Sequence, residues 1–212
     1  MKYLQGTINY FFSFILLASG SSAFAQAISE TKINEILSAT RRLNWASSCQ
    51  QFVGPKGFGS SGNHILRVLN RSDYPELYRA SADMKKTCPN FSNLKDSEKE
   101  LVWVMVLAGI SFFESTCNKN AKSRGPNGIA QGLLQLHLNR ESYYDSDCIT
   151  GDSQNDKLSL SCGLSMLNSQ LRRDQKLFSQ DSYWEVLRPV SPSDRAKYLA
   201  WTLMFYKPCQ LR

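Results

Sequence analysis

The chain has 212 residues, 42% of them hydrophobic and 20% charged, with a formal net charge of +7; that balance excludes a disordered chain and fits one domain with a full core. Six cysteines, an even set beginning at Cys49, suit up to three disulfides in an oxidising compartment, and no C-x-x-C spacing points to zinc. The positive charge favours anionic polymers, but Arg41-Arg42, Lys85-Lys86 and Arg172-Arg173 are scattered without interleaved aromatics, so nucleic acid is not an expected partner.

The chain opens with Lys2, an apolar run from Tyr10 to Ala18 broken only by Ser13, and the small-residue signature Ala23-Phe24-Ala25. This is the pattern of a secretory signal, and it is too short to span a bilayer, which takes roughly 18 apolar residues. Cleavage after Ala25 is expected to leave one domain over residues 26–212, exported to a periplasmic or extracellular space, monomeric and without stable membrane insertion. Among the cysteines, Cys148 and Cys162 are the first pair expected to bond, because they close a short polar loop.

Ile33, Ile36, Leu37, Thr40 and Leu43 recur at helical spacing and predict an amphipathic helix over residues 30–44. The glycine-rich stretch 54–62 lacks the lysine of a phosphate-cradling loop and predicts a surface loop. Residues 64–87 predict two helical pieces interrupted near Pro75. Ser97-Glu98-Lys99-Glu100 has the form of a capping box, with Ser97 at the cap and Glu100 reaching back. The following run, Leu101 to Ile110, carries no charge and predicts a helix buried on every side. Residues 143–156 predict a polar loop. Leu160, Leu164, Leu167 and Leu171 predict another amphipathic helix, and Ser191-Pro192-Ser193-Asp194 predicts the start of a last one ending before Pro208. Strand signals are sparse, so the fold class is mainly α.

The buried helix runs into Phe112-Phe113-Glu114-Ser115. A carboxyl placed after such a run is poorly solvated, which favours its protonated form and suits it to protonate a glycosidic oxygen. By itself such a position more often describes a solvated or salt-bridged helix terminus.

The residues downstream carry a resemblance. Glu114-Ser115-Thr116-Cys117-Asn118-Lys119-Asn120-Ala121-Lys122-Ser123, followed by Gly132-Leu133-Leu134-Gln135, resembles the signature of lytic transglycosylases and goose-type lysozymes. That signature reads E-S, a hydrophobic residue, A-x-S, a glycine turn and G-L-M-Q. Ser159 to Leu167 is similar to the N-I-x-x-G-x-x-Y-L segment of the same family. The resemblance spans about residues 97–171 and implies a lysozyme-like fold whose buried central helix ends at the catalytic Glu114.

It further implies peptidoglycan glycan strands as the partner, with no cofactor and no metal. Ser115 would support the sugar or orient the acid, Gln135 would line the saccharide cleft, and Gly132 would let the backbone approach the glycan. The chain departs from the family in its longer turn through Gly125-Pro126-Asn127-Gly128, in Cys117 at the hydrophobic position, and in Ser159 and Met166. The A-Y-N-A-G motif is absent. Tyr206 or Tyr198 on the final helix would take the place of its tyrosine.

Two chemical outcomes follow from such a site. A lysozyme-type hydrolase admits water with the help of a second carboxylate, for which Asp145, Asp147, Asp152 and Asp156 are the candidates. A lytic transglycosylase lets the sugar's own 6-hydroxyl close a 1,6-anhydro ring. Hydrolysis is the expectation, with a preference set by the acetylation state of the sugar amines as a further question. A glycan-binding protein of the same fold that cuts nothing is the third reading. His137 and His64 form no H-E-x-x-H pair and no G-x-S-x-G elbow is present, so metallopeptidase and serine-hydrolase chemistry are not expected.

Overall fold

The computed structural model of the protein describes residues 29–41 and 47–211; the secretory signal read in the sequence lies outside them. The chain is mainly helical, and its axis is one helix. Helices α1 (Glu30–Thr40), α2 (Ser60–Val68), α3 (Met84–Thr87), α4 (Asp96–Ser115), α5 (Glu141–Tyr144), α6 (Asp156–Asp174) and α7 (Arg195–Phe205) alternate with short turns and two small sheets. Among the described residues no helix is long and apolar enough to cross a membrane.

Helix α4 is the buried rod the composition predicts: every residue from Leu101 to Ser111 is buried. Its apolar surface is covered by α2, by α7 and by the 3-10 turns at Pro75–Tyr78 and Glu185–Leu187. The helix begins earlier than its serine suggests. Lys95 stands at the cap, and its backbone N–H donates to the Glu98 carboxylate at 3.1 Å. Glu100 instead accepts from the Tyr78 hydroxyl at 2.9 Å. Two more bonds lace the Pro75–Tyr78 turn to the rod, from the Trp103 indole N–H to Leu77 O at 2.6 Å and from the buried Lys99 amine to Tyr78 O at 3.2 Å. These satisfy polar groups that burial would otherwise penalise.

Helix α6 is fixed at its start by Asn155, whose side chain accepts from the N–H groups of Lys157 and Leu158, and ends at Gln175 in a left-handed conformation. The last helix starts at Arg195, later than the Ser191-Pro192 pattern indicates; Ser191 Oγ accepts from the Ser193 N–H at 3.2 Å in the turn before it, and both serine hydroxyls donate to Glu185.

The glycine-rich stretch is not a free loop. Strands β1 (Val53–Gly54) and β2 (Gly57–Phe58) form a tight hairpin that leads directly into α2. A Cβ at Gly62 would stand 2.0 Å from Phe52 O, so glycine is what lets the helix start press on that backbone. Strands β3 (Lys122–Gly125), β4 (Gly128–Gln131) and β5 (Leu136–His137) make an antiparallel sheet, in order β3-β4-β5, that follows the end of α4. Its hairpin pairs Lys122 with Gln131 and Arg124 with Ile129.

Three disulfides form, as an exported chain permits: Cys49–Cys117, Cys88–Cys209 and the expected Cys148–Cys162. They join, in turn, the segment before β1 to the end of α4, the chain end to α3, and the aspartate-rich loop to α6.

Candidate active site

Glu114 occupies the last turn of α4, and the chain turns away from it abruptly. Thr116 (φ 53°) and Cys117 (φ 57°) both adopt left-handed backbone, which costs energy for residues with a Cβ and needs reinforcement from outside. The reinforcement is visible. The Cys117 N–H donates to Ser111 O at 3.0 Å, the Thr116 N–H donates to Phe112 O at 2.9 Å, and the Cys49–Cys117 disulfide pins the turn. The Ser115 hydroxyl lies 2.9 Å from Ser111 O and 2.8 Å from Leu133 O, bridging the helix end to the segment before β5. The acid therefore projects from a rigid mount, the condition a preorganised site requires.

Burial raises the proton affinity of the Glu114 carboxyl, and its pKa rises to about 7. Arg195 and Arg188 pull it down and Glu185 pushes it up, so all three lie within electrostatic reach. Glu185 behaves oppositely. The Ser191 and Ser193 hydroxyls donate to its Oε1 at 2.7 and 3.0 Å and hold its carboxyl below the usual range, with Arg195 and Arg188 adding to the effect. One carboxyl is kept protonated near neutrality and the other ionised, a division typical of acid–base pairs.

Neither carboxyl lines the nearby cleft of about 380 Å³, whose walls include Asn127, His137, Tyr144, Tyr183, Arg173 and Arg188; of these, Arg188 and Tyr183 lie within electrostatic reach of Glu114. Tyr183 connects this cleft to the acid. Its hydroxyl donates to Gln135 O at 2.9 Å, accepts from the His137 N–H at 3.0 Å, and sits within the field of Glu114; burial above all holds its phenol protonated. The His137 ring nitrogen Nδ1 lies 2.6 Å from the Tyr144 hydroxyl. The three rings cluster with Tyr144 and Tyr183 centroids 4.6 Å apart in edge-to-face contact.

Several predicted site residues fall elsewhere or do something else. Tyr206 is a correction. It is fully buried, its charged surroundings are Glu35 and Glu98, and Glu98 starts the helix that Glu114 ends, about 24 Å away along the axis. It cannot touch a substrate at Glu114. Tyr198 is exposed on α7 and pairs edge-to-face with Trp201.

Gly132 does not open backbone to a glycan. It is buried at φ +76°, and a Cβ there would meet Ser153 O at 2.6 Å, so it serves the packing of one loop on another. The Gln135 amide is likewise used up inside the protein. It donates to Gly132 O at 2.9 Å and Ala121 O at 3.2 Å and accepts from the Ser123 hydroxyl at 2.8 Å. Ser115 braces the acid's mount through its contacts with the Ser111 and Leu133 carbonyls.

Two of the four candidate second carboxylates, Asp152 and Asp145, resolve as turn chemistry. Asp152 accepts from the Ile149 N–H at 2.8 Å, Asp145 accepts from the Asp147 N–H at 3.0 Å, and Asp156 opens α6. Glu141 is fully buried, and although burial favours its protonated form, hydrogen bonds from Ser153, its own backbone and Gly151 prevail and lower its proton affinity. It cradles the loop that carries Ser153. Cys148, Asp152 and Cys162 converge, but both sulfurs are in one disulfide, so this is no ligand set. His64 lies apart, bonded through Nε2 to the Ser161 hydroxyl at 3.0 Å.

The partners that sequence reasoning missed are Glu185, Arg188, Arg195 and Tyr183. Glu185 had a signal. It stands in the apolar run Trp184-Glu185-Val186-Leu187, the same context of an isolated acid among apolar residues that singled out Glu114.

No family model matches the chain, and no curated protein matches it by sequence. Among solved structures, the chain is similar to Bd0314 DslA. A wild-type form and two glutamate-to-glutamine mutants of that protein superpose with TM-scores of 0.59 to 0.60 at 24% identity, covering 71% of this chain and 91% of that one. The likeness is one of fold.

Proposed function

We propose that the chain is a lysozyme-like glycosidase that hydrolyses peptidoglycan glycan strands, with Glu114 as its general acid. The observation that carries this reading is the division of protons between Glu114, with a pKa of about 7, and Glu185, held below the usual range, with Tyr183 and Arg188 linking Glu114 to an open cleft. The motif resemblance supports the substrate class, and the shared fold by itself assigns none.

In this mechanism the Glu114 carboxyl gives its proton to the glycosidic oxygen as the bond to the anomeric carbon breaks. Positive charge develops on the sugar ring, and the Glu185 carboxylate opposes it electrostatically. Water then adds to the anomeric carbon and releases its proton to a carboxylate, completing hydrolysis. Tyr183 and Tyr144 offer ring faces against which pyranoses can pack, and their bonds to His137 and Gln135 keep those rings in place.

One observation favours transglycosylation as the second reading. Arg188 and Arg195 both stabilise the ionised form of Glu114, which that reaction needs when the same residue returns as base. Mass spectrometry of muropeptides released from purified sacculi separates the outcomes. Reducing ends are expected; 1,6-anhydro ends would assign the second reaction. Glu114→Gln is expected to lower turnover by about 10²–10⁴-fold. Equal sugar release by Glu114→Gln and wild type would remove the enzymatic reading and leave a glycan-binding protein.

A further inference from the structure

Between Glu114 and Glu141 the chain has four cations, Lys119, Lys122, Arg124 and Arg140, and no acidic residue. This stretch builds the β3–β4–β5 sheet. The overall charge of the protein is thus concentrated on one lobe with a single sign.

The fold presents these cations outward. Lys122 and Arg124 are two residues apart on β3, so their side chains share one face, while Ser123 between them turns to bond the Gln135 amide. Their cross-strand neighbours, Gln131 and Ile129, are uncharged and neutralise neither. Lys119, Lys122, Arg124 and Arg140 are all exposed, and none forms an ion pair among the described residues. Elsewhere on the surface Arg71 pairs with Asp96 and Arg173 with Asp174.

The lobe is also continuous with the cleft. Asn127, in the turn between β3 and β4, lines the cleft directly. Arg140, whose N–H donates to the carbonyl of the cleft residue His137 at 3.0 Å, is close enough to His137 and Tyr144 for its charge to lower the proton affinity of both. A polymer lying in the cleft therefore has its substituents held against a cationic rim.

We propose that the β3–β4 hairpin is a docking surface for the peptide carboxylates of peptidoglycan, with Lys122 and Arg124 as its central contacts. The inference rests on the glycan reading of the cleft, since those carboxylates hang from the strand that the cleft would hold. Arg124 matches a carboxylate with two parallel N–H donors, and Lys122 acts as a point charge. The rim would set affinity and orientation and leave the chemical step to Glu114.

The test is co-sedimentation of the Glu114→Gln protein with purified sacculi. These are native sacculi and sacculi whose carboxylates have been amidated with carbodiimide and methylamine. A Lys122→Gln/Arg124→Gln change in the same background is expected to weaken retention on native sacculi by about three- to tenfold, the range two exposed charge contacts supply. Amidation, or raising salt from about 0.05 to about 0.5 M, is expected to weaken the parent to the same level and to leave the charge-deleted protein nearly unchanged. Lys122→Arg/Arg124→Lys keeps both charges and should retain binding, which separates a charge effect from damage to the hairpin.

Equal retention of the parent and the charge-deleted protein, or retention insensitive to amidation, overturns the proposal. Retention lost when phosphate polymers are stripped from the sacculi overturns it in favour of phosphate. Wild-type turnover of the same sacculi keeps the two readings apart. Charge-dependent retention without sugar release removes the enzymatic reading and leaves the docking surface, whereas sugar release without charge-dependent retention does the reverse.

Discussion

Glu185 lies within electrostatic reach of Glu114 and raises the proton affinity of its carboxyl, while Ser191 and Ser193 keep Glu185 itself ionised. Two glutamates 71 positions apart in the chain thereby have their proton affinities pushed in opposite directions. The pair is held by separate elements, the end of α4 and the turn Glu185–Leu187, and these elements pack directly on each other.

A pH profile on sacculi should carry the signature of this pair. Activity falls as pH rises through about 7, where Glu114 loses its proton, and falls on the acid side where Glu185 gains one, below the ordinary glutamic range. Arg195→Ala removes a charge that favours ionised Glu114, so the alkaline limb should move to higher pH. Ser191→Ala with Ser193→Ala removes the donors that favour ionised Glu185, so the acid limb should also move to higher pH. Limbs that stay fixed in both variants would show that other groups titrate.

Stability should record the same proton. Glu114 has a higher pKa folded than its ordinary 4.5, so its contribution is present in full below about 4.5 and is lost as pH rises through about 7. Glu114→Gln should therefore match wild type near pH 4 and gain stability relative to it near pH 8.5. The upper limit is on the order of 3 kcal/mol, reduced by the partial exposure of the side chain. Thermal melts at the two pH values check this, and a variant equally or less stable at the higher pH counts against a desolvated acid.

The disulfides should divide by role. Opening Cys49–Cys117 by double alanine substitution frees the left-handed turn behind Glu114, while opening Cys88–Cys209 loosens only the chain end on α3. Each is expected to cost about 2–5 kcal/mol in denaturant unfolding. Under conditions where both variants remain folded, only the first should lose kcat by more than its KM changes. Equal kcat losses would mean that the turn is not what orients the acid.

The parts of this molecule that were legible in the sequence are those set by local pattern. An uncharged run of ten residues from Leu101 to Ile110 can only be a buried helix, and the short loop between Cys148 and Cys162 makes their pairing natural. What local pattern does not carry is which polar groups meet across the fold. The Gln135 amide reads as a free ligand until Ser123, Ala121 and Gly132 are seen to engage it. Tyr206 reads as near the acid until the length of α4 separates them. Ser191 reads as a helix cap, but its Oγ accepts from the Ser193 N–H at 3.2 Å ahead of the helix while its O–H donates to Glu185, a partner that only the fold brings near.

Gly132 gives the sharpest test of that revised picture. A residue that lets a glycan approach and a residue that lets two loops pack both demand glycine, but they fail differently. Gly132→Ala places a Cβ 2.6 Å from Ser153 O and imposes φ +76° on a residue that resists it. Neither atom is the tip of a flexible side chain, so the loop carrying Ser153, tied to the buried Glu141 carboxylate, must shift as a unit. The combined cost is roughly 2–4 kcal/mol of folding stability. Unfolding by urea should show that loss, and Glu141→Gln should destabilise the same loop by weakening its hold on the Gly151 and Ser153 N–H groups. A Gly132→Ala protein of wild-type stability with a raised KM would return the glycine to the cleft; a protein destabilised in proportion to its lost packing keeps it in the frame that mounts Glu114.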